Sequence, residues 1–178
     1  MNHKTLCRWC ILSLLIISAK VVQADPLDFV KDHYSEKMKG PYFPDQELLL
    51  DIFGTYSLTE DGRYNDGAGG GAGLEFFLTK YLGVGGEAYW WDGDNVIHTF
   101  SGDVYLRYPI ESIRFAPYIL AGGSWHVDGF NQFSAHAGLG FDWRLGKGAG
   151  LFADGRFVLT ERENDYGLFR FGVRFAVW

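Results

Sequence analysis

The residues of this chain best suited to chemistry lie close together: Ser124, His126 and His136, with Asp128 between them. A hydroxyl within hydrogen-bond reach of an imidazole, itself oriented by a carboxylate, is the arrangement that activates serine as a nucleophile. If the two stretches are paired strands joined by a connection centred near Phe130, Ser124 falls opposite His136, His126 lies diagonal to it, and Asp128 sits just above. The sequence brings no clear third ligand to His126 and His136, so it implies no metal site and no cofactor. The run Gly69–Gly73 is not followed by a helix, which excludes a phosphate-binding loop of the usual kind.

These groups must be positioned by strands. In the last twelve residues, Phe169, Phe171, Val173, Phe175 and Val177 fall on one side, while Arg170, Gly172, Arg174 and Ala176 fall on the other. Side chains of a strand switch faces at every residue, so one face is apolar and the other cationic. The same alternation is found in eight segments, at 47–57, 69–79, 82–91, 97–108, 115–126, 134–145, 149–160 and 167–178. In each, one face is free of Asp, Glu, Lys and Arg. The opposite faces hold Asp51, Glu75, Glu87, Asp103, Arg107, Asp142, Arg144, Asp154, Arg156, Arg170 and Arg174. A basic residue facing lipid near the bilayer midplane costs about 2–4 kcal/mol, and about 9–11 tilted residues cross the hydrocarbon.

The expected fold is therefore all-β: an eight-stranded antiparallel transmembrane barrel over 46–178, with lipid outside and a charged interior. Alternation alone also suits a water-soluble barrel with the faces inverted. Glycines crowded beside the arginines and aromatics near the strand ends favour the membrane arrangement.

Residues 1–24 read as a cleaved secretory signal, with Lys4 and Arg8 at its start, the apolar stretch 11–17, and Val22-Gln23-Ala24 at its end. Both cysteines, Cys7 and Cys10, lie within it. Removing it takes away Lys4, Arg8 and Lys20, leaving 13 basic residues against 22 acidic, a formal charge of −9. Nucleic acid is a poor partner for such a chain. Over 25–45, Leu27, Val30, Tyr34 and Met38 recur at helical spacing before Gly40-Pro41, so a short amphipathic helix on the periplasmic side is expected. The connections alternate in kind. Those at 58–68, 92–96, 127–133 and 161–166 are rich in Asp, Asn, Gly and Glu, and those after 79, 108 and 145 are short or marked by proline.

With Phe115-Ala116-Pro117-Tyr118 leading to Gly122, and with Gly172, Phe175, Val177 and Trp178 at the end, the chain resembles the small outer-membrane barrels of OmpA and OmpX type. The resemblance implies a Gram-negative outer membrane, contact with its lipid and lipopolysaccharide, and recognition of the last strand by the barrel-assembly machinery. It also implies a lumen in which Arg170 or Arg174 could exchange carboxylate partners. The function expected is non-enzymatic: envelope structure, surface interaction or limited permeation. The alternative is a lipid A-modifying enzyme. The stretch 56–73 resembles lipid A palmitoyltransferases, although Asp51 stands where their histidine would fall. Lipid A deacylases use a serine, histidine and acid, which Ser124, His126 or His136, and Asp128 would supply, although the His-x-Ser-Asn stretch associated with them is lacking.

Overall fold

A computed structural model of the chain describes residues 40–59, 66–92, 96–127, 132–161 and 165–177. The expected leader, the expected helix over 25–39, Asp128 and Trp178 lie outside the described residues. Eight strands follow one another: β1 (Glu47–Thr59), β2 (Gly67–Phe77), β3 (Leu82–Asp92), β4 (Val96–Arg107), β5 (Phe115–His126), β6 (Gln132–Arg144), β7 (Ala149–Thr160) and β8 (Tyr166–Ala176). Each pairs antiparallel with the next and β8 pairs with β1, closing the barrel. Closure leaves no row of unpaired backbone groups, which hydrocarbon would not tolerate.

The exposure of the two faces decides which is concave. Phe171 and Phe175 are 63% and 41% exposed, whereas Arg170 and Arg174 are 2% and 0% exposed. The apolar face of every strand points outward, charged only at Asp92 where β3 ends, and the barrel is of the membrane kind.

Turn chemistry sets the strand ends. β2 stops at Phe77, short of the expected 79, because the Thr79 hydroxyl accepts the N–H groups of Tyr81 and Leu82 at 3.3 and 3.1 Å and turns the chain. Between β4 and β5 a short 3-10 turn, Glu111–Ile113, ends at Arg114, whose φ of 58° is left-handed. Pro117 has no N–H to donate. It accepts from the N–H of Tyr108 at 2.9 Å, and the β4–β5 ladder stops at the adjacent pair, Arg107 with Tyr118. Between β5 and β6, His126 pairs with Gln132, which centres that connection one residue earlier than expected.

Inside the wall, two apolar clusters, one including Phe53, Trp91, Phe152 and Tyr166 and the other Leu49, Phe77, Tyr105 and Tyr118, are buried together with the charged groups.

Candidate functional site

All eleven charged residues named from the sequence are buried on the inner face, ten as whole residues and Glu87 with its side chain 5% exposed. Glu47, the first residue of β1, joins them at 1% exposure. Sequence reading passed over it because it stands at the margin of its segment, although it shares the parity of Asp51. Seven carboxylates therefore meet five guanidiniums.

The ion pairs run through the interior in two groups. Near the short-turn end, Glu47 binds Arg107 at 3.1 Å and Arg144 at 2.8 Å, and Asp142 binds Arg144 at 3.0 Å and Arg174 at 2.9 Å. Arg174 also reaches Asp51 at 2.8 Å and Glu75 at 3.1 Å. In the second group, Arg170 binds Asp154 at 2.9 Å and also binds Glu87. Arg156 binds Glu87 at 2.7 Å, Asp154 at 3.2 Å and Asp103 at 3.4 Å. Every one of the five arginines touches at least two carboxylates. Burying an ion costs several kcal/mol even after relaxation, so sharing each guanidinium between acids is what makes so charged an interior tenable.

Inward glycines make these meetings possible. Asp103 of β4 and His136 of β6 are two strands apart, with Gly122 of β5 between them in register. A methyl on Gly122 would overlap both side chains. Gly140 serves Tyr118 and Asp154 in the same way: the hydroxyl donates to the carboxylate at 2.9 Å over the gap left by the missing side chain.

The Ser124–His136 pair forms, but not by the expected route. Ser124 lies opposite Ser134, not His136, because the register is shifted by two residues. The diagonal reach still brings Ser124 Oγ to 3.0 Å from His136 Nδ1. The acid on His136 Nε2 is Asp103, a residue of β4 with no sequence proximity to mark it. Asp103 also accepts from Ser101 at 3.1 Å. His126 is a separate site, bonded through its two nitrogens to Thr99 and Ser134 at 2.9 Å each.

A single ring proton on Nε2 would let His136 donate to Asp103 and accept from Ser124, the polarity a nucleophilic serine requires. Its setting is the barrel interior. Ser124 is 2% exposed and faces the interior, between Ser101 and Ser134. On the outer wall there is an apolar groove of about 640 Å³, lined by rings including Tyr56, Phe141, Phe169 and Phe171 and by the small residues Gly54 and Ala153. Neither Ser124 nor His136 lines it.

No protein-family model matches the chain. No curated protein matches it in sequence. Solved structures do match it. The N-terminal β-barrel domain of Pseudomonas aeruginosa OprF is 16% identical with a TM-score of 0.56, covering 74% of this chain and 98% of that one. Ail, the attachment invasion locus protein of Yersinia pestis, is 14% identical with a TM-score of 0.57, covering 74% and 99%. A barrel from the de novo design of transmembrane β-barrels is 15% identical with a TM-score of 0.56, covering 75% and 97%. The chain has the fold of the small eight-stranded outer-membrane barrels. The designed barrel matches as well as the natural ones, so this shape is a general solution to folding in lipid, and function must be argued from the side chains.

Proposed function

We propose that this eight-stranded membrane barrel is a non-enzymatic protein of a Gram-negative outer membrane, exported through the periplasm. Its interior is filled by ion pairs, and its work is done by the wall and the connections: envelope structure, surface interaction or limited permeation. The observation that carries this reading is the sharing of each interior arginine between two or more carboxylates, which fills the space a binding site would need. In this reading the short turns face the periplasm, the acidic connections face outward, and lipid and lipopolysaccharide surround the wall. The C-terminal stretch with Gly172, Phe175, Val177 and Trp178 is what the assembly machinery would take hold of.

A second reading, a lipid A-modifying enzyme of deacylase type, is favoured by one observation, the contact of Ser124 with His136 and of His136 with Asp103. It requires acyl chains to reach a serine on the wrong side of the wall. Mass spectra of lipid A from cells with and without the gene separate the two. Unchanged acyl chains support the structural reading, and an acyl change abolished by Ser124→Ala or His136→Ala overturns it.

A further inference from the structure

Each of the three short turns carries one cation, Lys80, Arg114 or Lys147, and each cation rests against a tyrosine. Lys80 Nζ lies 5.0 Å from the centre of the Tyr81 ring. The Arg114 guanidinium lies 4.8 Å and Lys147 Nζ 5.5 Å from the Tyr42 ring, so one aromatic ring serves two cations. Tyr42 is held there from behind. Its N–H and that of Phe43 donate to the Glu111 carboxylate at 2.9 and 3.3 Å, and Phe43 is fully buried against Arg107 and Arg144.

Arg114 occupies a backbone conformation, φ 58°, in which glycine or asparagine would be less strained. Strain kept at one residue is a pointer to what its side chain does. Two carboxylates outside the strands here are engaged by backbone: Glu111 as above, and Asp45 by the N–H of Lys80 at 2.6 Å. On the lipid side, Tyr81, Tyr108, Ile113 and Leu145 are 47%, 67%, 58% and 55% exposed, which sets the turns where hydrocarbon gives way to headgroups. The connections of the opposite end carry nine acids against two arginines.

We propose that Arg114 and Lys147 around Tyr42, with Lys80 on the β2–β3 turn, bind the phosphate of anionic phospholipid headgroups in the leaflet at the short-turn end. The inference rests on the membrane reading above and adds a lipid preference to it. The fork of the Arg114 guanidinium pairs phosphate oxygens, Lys147 adds a point charge, and Tyr42, in contact with both, keeps the two cations within reach of one headgroup. Basic groups at a membrane surface each enrich anionic lipid roughly fivefold.

The test uses the full barrel in phosphatidylcholine vesicles carrying spin-labelled phosphatidylglycerol or spin-labelled phosphatidylcholine. Electron spin resonance reads how far each label is enriched in the layer against the protein. The expected result is at least a fivefold preference for phosphatidylglycerol. Raising salt to 1 M should bring it below twofold, and so should the Lys80→Ala/Arg114→Ala/Lys147→Ala variant, while millimolar inorganic phosphate should leave it unchanged. Equal enrichment of the two labels overturns the inference, as does a preference that survives the triple substitution or one that free phosphate abolishes. Insertion is checked separately by the heat-dependent gel shift of a folded barrel. A wild-type chain that never inserts removes the membrane reading itself, and a barrel that inserts without preference removes only this inference.

Discussion

Asp103 and His136 sit on strands two apart and join their side chains over Gly122, where any side chain would stand between them. The interior of this barrel is built on contacts of that reach, and they single out which glycines are structural. Gly122→Ala is expected to destabilise the barrel by about 1–3 kcal/mol through overpacking. Gly102, on the outer face with open space where a methyl would go, is the control. Gly102→Ala should change stability by no more than about 0.5 kcal/mol, the usual bound for a surface site. Urea unfolding in vesicles followed by tryptophan fluorescence compares the two.

Arg174 gathers three carboxylates from three different strands, Asp51, Glu75 and Asp142. Arg174→Ala leaves all three with less counter-charge and should cost about 3–5 kcal/mol in the same unfolding measurement, the usual penalty for breaking a buried pair. A loss under 1 kcal/mol would mean that water or neighbouring arginines take over its role.

Permeation follows from the same residue. In planar bilayers the wild-type barrel should show no steady conductance, and Arg174→Ala, which opens space between β1, β6 and β8, should show discrete steps. If the two traces cannot be told apart, exchange of arginine partners does not control the water path.

Ser124→Ala removes one neutral hydrogen bond and should cost about 0.5–1.5 kcal/mol. A fluorophosphonate probe applied to the folded wild-type barrel should leave Ser124 unmodified. Stoichiometric labelling that depends on His136 and Asp103 would instead establish a reactive nucleophile.

Phe43 closes the short-turn end beneath Arg107 and Arg144. Phe43→Ala should cost about 3–5 kcal/mol, as for other fully buried aromatics. It should also speed hydrogen exchange at Tyr42 and the 3-10 turn Glu111–Ile113, because the strap that engages Glu111 loses its anchor.

The architecture was legible because the physics that sets it is local. Alternation at every second residue tells each strand which face meets hydrocarbon, and one charge in β8 suffices to choose the parity of that strand. The site was legible only in its ingredients. Ser124 and His136 could be placed on adjacent strands, but a single residue in the centre of their hairpin moves the cross-strand pairing by two, so they meet diagonally. Asp103 could not be picked out as the partner of His136, because it reaches from two strands away through the gap at Gly122, which only the register of β4, β5 and β6 reveals. Phe43 and Glu47 escaped notice for a different reason: both stand where the periodic pattern begins, and only the three-dimensional mouth of the barrel shows what they fill.

The central claim is that lipid touches the face of Phe171 and Phe175 while Arg170 and Arg174 look inward. A nitroxide carried one position at a time along residues 167–176, in the barrel folded into vesicles, measures it. The account predicts that collisions with oxygen peak at 169, 171, 173 and 175 and fall at the positions between, the period of a wall strand. Peaks for a water-soluble nickel reagent at 171 and 175 would contradict it.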